Sequence, residues 1–576
     1  MTVTNQVPAT WFAGDAGIRR LASLCATAPQ GAVAAFSPGS GQAGRPLHLP
    51  AGRSQLALGF EQGAEHVVAG GALVPRRDRG EPALDLVDGG GEGGQLGAVT
   101  GHRRSLAWPA GPAARDQVGL PPGSARSPGI VARDDPAHPP PPIVLTRLDL
   151  RGHRGDLAMV LPRPQTEGTG PVAAVEAILR DVQARGDAAV RELTARFDGV
   201  ERADLRVPPA ELDAALARIP AGLREALGVA HEAVVAHHRH QVADEVDHTH
   251  RGVRLRARAV PMARAGCYVP GGRAVYPSTV VMTAAIAKVA GVAEVVLCIP
   301  PDRSTGRPPD ASLAAAALCG VDEVYAIGGA QAVAALAYGT ESIRPVDVIV
   351  GPGNVYVALA KRLVAGEGRV AVPSSFAGPS EVVVVADASA PPTFAAIDVL
   401  VQAEHGPDGL AWLVSWDEQA LETVTAEVAR LTAIAPRRAD IEANLGSNGY
   451  AVLCESPEQA MAVANAVAPE HLELMVADPE ALLALVRNAG AVFTGPWSPA
   501  SLGDYVAGPS HVLPTFGSAR FSSALTVADF VKQVHVVSAD EAALRAAAPY
   551  VEALAVAEGL AAHADSMRLR TGTVGP

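Results

Sequence analysis

The stretch "VDVIVGPGNVYVALAKRLVAG", residues 346–366, decides the fold. Its first part is apolar and β-branched without alternation, as in a strand buried on both faces. A Gly-Pro-Gly-Asn turn follows, Gly351 to Asn354. After it, "VYVALAKRLVAG" has helical spacing. A strand, a glycine loop and a helix in that order form one unit of a parallel sheet.

The same order repeats on both sides. Strands are predicted in "EVVLCIP" (294–300), "EVYAIGG" (323–329), "EVVVVAD" (381–387), "AWLVSW" (411–416) and "GYAVLC" (449–454). Helical segments lie between most of them: "STVVMTAAIAKVAG" (278–291), "AQAVAALAYG" (330–339) and "PTFAAIDVLVQAEH" (392–405). The pattern predicts an α/β protein with two parallel-sheet halves. Upstream, "VAAVEAILRDVQARGDAAVREL" (172–193) and "LREALGVAHEAVVAHHRHQ" (223–241) read as amphipathic helices. Downstream, residues 539–570 read as one or two helices.

Residues 1–143 differ from the rest. Runs such as "DGGGEGG", "PPGSARSPG" and "HPPPP" leave little apolar surface to offset chain entropy. Two readings compete: a disordered extension, or an upstream region from a misplaced start, with the true start near Val144. The second is preferred. Gly39, Gly41 and Gly44 fit G-x-G-x-x-G, but Pro38 precedes them and Pro46 and Pro50 stand where a helix should run. Without a strand before and a helix after, the motif reads as a decoy.

The totals exclude some classes. A formal charge of −13 argues against a nucleic-acid binder. The cysteines (Cys25, Cys267, Cys298, Cys319 and Cys454) are scattered, which fits reduced thiols in a cytoplasmic protein. Cys267 and Cys298 are read as core residues. No apolar run is long enough for a membrane span, and no signal-peptide pattern opens the chain.

Ligands in open α/β sheets bind at the carboxyl ends of strands. The loops expected there are "IGGAQ" (327–331), "VGPGN" (350–354) and "AGPSE" (377–381), which offer Gln331, Asn354 and Ser380. Any one of them taken alone reads as glycine ending a strand. If the helix before "HGPDG" holds to His405, then Asp398, Gln402 and His405 share one face. Gln402 and His405 could then touch one metal ion, although a capped helix end is the simpler reading. Asp504 and His511 stand in a Gly/Pro/Ser loop, and Glu558 and His563 in a helical pattern. In "APEHLELM" (468–475), Glu470 and His471 are neighbours whose side chains are expected to diverge.

Seven segments in order carry more weight than these fragments. They are "GCYVPGGRAVYPSTVVM" (266–282), "IGGAQAVAALAYGT" (327–340), "VDVIVGPGNVYVALAK" (346–361), "FAGPSEVVVVAD" (376–387), "QAEHGPDG" (402–409), "APEHLELM" (468–475) and "GDYVAGPSHVLPT" (503–515). Together, over about residues 145–572, they resemble the histidinol dehydrogenase family. Residues 1–143 have no counterpart in it.

The resemblance implies oxidation of L-histidinol to L-histidine through an enzyme-held aldehyde, in the last steps of histidine biosynthesis. It implies two NAD⁺ per turnover, one zinc per site, and a homodimer with intertwined subunits. The fold implied is two incomplete Rossmann-like domains without G-x-G-x-x-G, plus helical N- and C-terminal segments. The expected parts are a helical N-terminal part (144–260), an NAD-side half (261–380), a zinc and catalytic half (381–510), and a helical dimerisation arm (511–576).

Residue by residue, the resemblance makes Gln402, His405, Asp504 and His563 zinc ligands. His563 and the substrate-contacting Glu558 would come from the partner subunit. Tyr268, Gln331 and Asn354 match NAD contacts. Ser380 and His511 match substrate positions, with the zinc ligands and His471 also facing substrate. Glu470 and His471 match the proton-transfer pair. One departure is Pro373-Ser374, where the family usually has Ile-Asp. It leaves open a relative that oxidises another small alcohol, such as a sulfonated diol.

Overall fold

In the computed structural model the described residues are 145–162, 171–272, 274–373, 378, 380–406 and 409–573, with four short strands before residue 70. Two compact units separate, Met1–Pro128 and Gly129–Pro576. In the first, Val3–Thr4 pairs with Ala34–Ala35 and Leu56–Leu58 with Val67–Ala69. The decoy at 39–44, Cys25 and the tracts quoted from 88–142 lie outside the described residues, as does Ser374.

The second unit is α/β. Its strands are β1 (Thr146–Asp149), β2 (Val246–His250), β3 (Val253–Pro261), β4 (Arg264–Tyr268), β5 (Glu294–Cys298), β6 (Glu323–Tyr325) and β7 (Val348–Val350). They continue as β8 (Glu381–Ala386), β9 (Leu410–Ser415), β10 (Gly449–Leu453), β11 (His471–Met475), β12 (Ala491–Thr494) and β13 (Val531–Ser538). One parallel sheet has the order β6-β5-β4-β7 and the other β12-β11-β8-β9-β10-β1. A smaller antiparallel sheet has the order β13-β3-β2.

Both parallel sheets are covered on both faces, as the unbroken apolar strands require. Along β8, Val382 and Val384 enter one core cluster while Val383 and Val385 enter the opposite one. Leu297 and Cys298 of β5 divide in the same way. Cys267, Cys298, Cys319 and Cys454 are free and buried, and burial pushes the Cys267 thiol up to about 12. Among the described residues no helix is long and apolar enough to cross a membrane.

Several details depart from the sequence expectations. The stretch 172–193 forms part of two helices, Val172–Arg185 and Asp187–Asp198, separated at Gly186. Residues 144–260, expected to be helical, also supply β1, an edge of the second sheet, and the β2–β3 hairpin. The arm expected to be helical contributes β13, which pairs with β3. Its last segment does form two helices, Glu541–Ala557 and Ala561–Thr571.

Candidate active site

The two parallel sheets carry the candidate residues at opposite strand ends. In the first, Tyr268 ends β4, Gln331 lies not in the loop after β6 but in the first turn of the helix Gly329–Tyr338, and Asn354 ends the loop after β7. Gly351 approaches so closely that a Cβ would stand 2.1 Å from the Tyr268 carbonyl oxygen, at a φ of 108°. Only glycine makes that approach. The Tyr268 hydroxyl accepts the Gly329 N–H at 3.1 Å. The fully buried Lys361 Nζ donates to the Gly351 carbonyl at 2.8 Å, and burial lowers its pKa to about 7. Asn354 caps the helix Val355–Gly366, its Oδ1 accepting from the Tyr356 and Val357 N–H groups. Gln331 is 1% exposed, and neither amide atom has a hydrogen-bond partner.

In the second sheet the groups sit at the amino ends. The expectation that 377–381 follows a strand fails: the β8 ladder begins at Glu381, so this loop enters a strand. Of that loop, Ala377 and Pro379 lie outside the described residues. Gln402 lies in the last turn of the helix Pro392–Ala403, which stops short of His405. His405 instead closes a turn, its N–H donating to the Gln402 carbonyl at 3.3 Å.

Glu470 and His471 do not diverge. The chain leaves the helix Pro457–Val467 through Ala468 at a φ of 53°, then passes Pro469 into β11. Glu470 Oε2 accepts the Glu381 N–H at 2.9 Å and lies 3.5 Å from His471 Nδ1. His471 Nδ1 donates to the Glu381 carbonyl at 3.0 Å. A single residue's backbone thus orients both groups. His471 Nε2 lies 3.3 Å from Asp504 Oδ1, and the ring stacks on Phe493 with centroids 5.9 Å apart. Asp504 belongs to the short helix Ala500–Tyr505, which presses on the same phenyl ring: a Cβ on Gly503 would be 2.5 Å from it.

The electrostatics follow from burial. Burial opposes a charge on His471, but the Glu470 and Asp504 carboxylates outweigh it and push its pKa up to about 9. Burial pushes Glu470 up to about 7 against the pull of His471. Glu381, also buried, is pushed up to about 8, although its Oε1 accepts the Phe516 N–H at 2.8 Å. Burial opposes the Asp504 charge too, but His471 holds that carboxyl below its usual range.

His511 is held within the chain. Its Nδ1 donates to the Asp504 carbonyl at 2.9 Å, which leaves Nε2 to accept the Thr279 hydroxyl at 3.1 Å. His405, His471 and His511 all lie within electrostatic reach of Asp504. Ser380 is half-buried at the entry to β8. Glu558 and His563 are exposed, at the end of one C-terminal helix and the start of the next.

Among the described residues of one chain, no group of three or more His, Cys, Asp or Glu could hold a metal ion. The amide of Gln402, which that count does not include, stands at the same helix end as His405. It is 1% exposed and both its polar atoms lack partners. A buried amide without hydrogen bonds carries a cost that a bound ligand would remove. With His405 in the following turn and Asp504 within electrostatic reach of it, the donor types present (an amide oxygen, an imidazole and a carboxylate) are ones a zinc ion could accept. Glu381, Glu473 and Thr279 had no role in the sequence reading, and Asp398 entered it only as sharing a helix face with Gln402 and His405. The one signal for Glu473 is its spacing from His471, i and i+2, which shares a face only if the segment is a strand.

The histidinol dehydrogenase family profile matches residues 161–571. The chain is 49% identical over 401 residues to a histidinol dehydrogenase of Synechococcus sp., spanning 69% of this chain and 92% of that one. It is 47% identical over 428 residues to that of Cereibacter sphaeroides, spanning 73% and 98%. The crystal structure of histidinol dehydrogenase from Elizabethkingia anophelis superposes with a TM-score of 0.70 at 33% identity, covering 74% of this chain and 98% of that one. With its two parallel sheets and ordered motifs, the chain belongs to the histidinol dehydrogenase family.

Proposed function

We propose that this chain oxidises L-histidinol to L-histidine by two successive hydride transfers to NAD⁺, as a cytosolic enzyme of histidine biosynthesis. The observation that carries the reading is the Glu470–His471 pair, oriented by the Glu381 backbone and facing Asp504. Alcohol oxidation needs a base for the hydroxyl proton as hydride leaves carbon. His471 takes that role at Nε2 in its neutral form, because Nδ1 is committed to the Glu381 carbonyl; the pull of Asp504 that raises the ring would weaken once that carboxylate is engaged by a metal ion. The aldehyde must then gain water before a second hydride can leave. Glu470, with a pKa near neutrality, removes a proton from that water. His471 takes the proton of the resulting gem-diol. Overall the alcohol carbon gains the water oxygen and loses two hydrides, and the protons pass to solvent.

Gln402, His405, Asp504 and the partner subunit's His563 would hold one zinc ion. When bound, zinc supplies a fixed charge and coordination sites for the imidazole and amine of histidinol, which is chiefly positioning. Tyr268, Gln331 and Asn354 border the proposed NAD side, where the Asn354 amide nitrogen remains after its oxygen caps the helix. Ser380, His511 and the partner subunit's Glu558 complete the substrate contacts. In this reading His511 acts as a neutral, prepositioned ring. The protein is a homodimer because each site then lacks a zinc ligand of its own.

Purified protein should form two NADH per histidinol, and chelation should abolish both. One NADH per turnover with accumulating aldehyde would overturn the double oxidation. Pro373 is described and Ser374 is not. No observation at that position favours a sulfonated diol over histidinol.

A further inference from the structure

Behind the catalytic pair lies a second pair of acids. Glu473 of β11 is 2% exposed, and Asp398, in the helix that ends just after Gln402, is 6% exposed. Their carboxyl groups lie close enough to interact directly. Glu473 Oε1 accepts the Ala500 N–H at 2.9 Å. Glu473 Oε2 is buried and has no N–H or hydroxyl donor of its own.

Two ionised carboxylates have no hydrogen to share, and in contact they repel. A hydrogen bond between them therefore requires a proton on one. An acid bonded to a carboxylate is, by contrast, among the stronger hydrogen bonds. Placing the proton on Glu473 Oε2 satisfies every observation: Oε2 gains a partner, Oε1 keeps Ala500, and Asp398 carries the single charge. Burial acts in the same direction, raising Glu473 well above its ordinary value.

The position of this pair gives it a task. Glu473 is two residues from His471, so both side chains leave the same face of β11. Asp398 lies one helical turn before Gln402. Ala500 opens the short helix that carries Asp504. We infer that Glu473 and Asp398 share one proton, held on Glu473, and that this bond is a positioning device. It joins the element bearing His471 to the helix of Gln402 and, through Ala500, to the helix of Asp504. The inference rests on the reading of those three residues as working groups, and Glu473 and Asp398 touch neither substrate nor cofactor.

Three variants of the full chain test it: Glu473→Gln, Glu473→Met and the double change Glu473→Gln with Asp398→Asn. The glutamine amide can donate to Asp398, or to the asparagine oxygen in the double variant, and still accept from Ala500. Glu473→Gln and the double variant should both keep zinc content and hold kcat within about threefold of wild type. Methionine fills the space but joins nothing, so zinc per subunit should fall and kcat should drop about 100-fold, the cost of displacing a site by about 1 Å. The infrared difference between wild type and Glu473→Gln should contain the C=O stretch of a protonated carboxylic acid at neutral pH. Absence of that band overturns the proton assignment. Wild-type zinc content and kcat in Glu473→Met, or equal loss in the glutamine and methionine variants, overturns the positioning role. If the methionine variant does not fold, the infrared band and the double variant still decide. Band and zinc content are read without histidinol. A wild type that fails the histidinol assay but shows the band refutes the proposed function and not the pair.

Discussion

The backbone of Glu381 holds the ring of His471: the carbonyl accepts the Nδ1–H at 3.0 Å, and the N–H of the same residue holds Glu470 at 2.9 Å. The bond fixes which nitrogen of His471 is free to take a proton. Replacing His471 with asparagine removes that base. The first hydride transfer should slow by about 10²–10⁴-fold, the usual contribution of a general base. Single-turnover NADH formation from histidinol checks this, and an unchanged rate would assign the alcohol step to another group.

Glu470→Gln should spare alcohol oxidation and depress aldehyde oxidation. Water activation needs the carboxylate, whose fraction grows as pH rises through about 7. With histidinaldehyde as substrate, the wild-type rate should therefore climb across neutrality. In the variant that limb should be missing and the rate lower by about 100-fold or more. Equal loss in both half-reactions would contradict the division of roles.

Glu381 links the site to stability. Its carboxyl is raised in the fold to about 8 from an ordinary value of 4.5. The native state thus binds a proton that the unfolded chain has released by neutral pH. The stability this contributes is complete below the unfolded value and is lost as pH rises through about 8. Glu381→Gln is neutral throughout and keeps an acceptor for the Phe516 N–H. Relative to wild type the variant should gain stability on going from pH 5 to pH 9, by on the order of 1–3 kcal/mol. Denaturant midpoints at the two pH values measure it.

If the partner subunit supplies His563, two variants defective in aldehyde oxidation should rescue each other. His563→Ala lacks a ligand on its arm, and Glu470→Gln lacks a group in its core. In a mixed dimer, one site combines the intact core of the first with the intact arm of the second. Mixing after reversible dissociation should restore aldehyde oxidation beyond the sum of the separate samples. No gain would place all the ligands within one chain.

The relatives are spanned almost completely by the later three quarters of this chain: the Cereibacter protein is covered to 98% of its length by 73% of this one. Removal of residues 1–143 should leave histidinol oxidation and zinc content unchanged within about twofold. A steady-state assay of the truncated protein checks this.

Legibility in the sequence followed local pattern. Strands such as β5, β7 and β8 were readable because burial on both faces leaves an unbroken β-branched run. β11 was not, because "HLELM" puts His471 and Glu473 into a buried strand where periodicity reads a polar surface. β1, largely exposed, and the arginine-rich β3 are stabilised by partners distant in sequence, which no local window contains. The glycine loops and the helix end at Gln402 were visible as places. Their assembly around Asp504 depends on close approaches such as Gly503 on Phe493, and those exist only after folding.

The outer strands carry a consequence for the order in which the molecule can be made. Thr146 pairs with Tyr450, and Pro261 with Val531. On the ribosome β1 and the β2–β3 hairpin emerge early and wait, with open hydrogen-bonding edges, for partners still unsynthesised. Pairings so distant in sequence are slow to form, and unpaired edges invite association with other chains. Completion of the fold therefore waits for segments made long after these strands, and charged side chains such as the arginines of β3 are of the kind that discourage wrong pairing at an open edge.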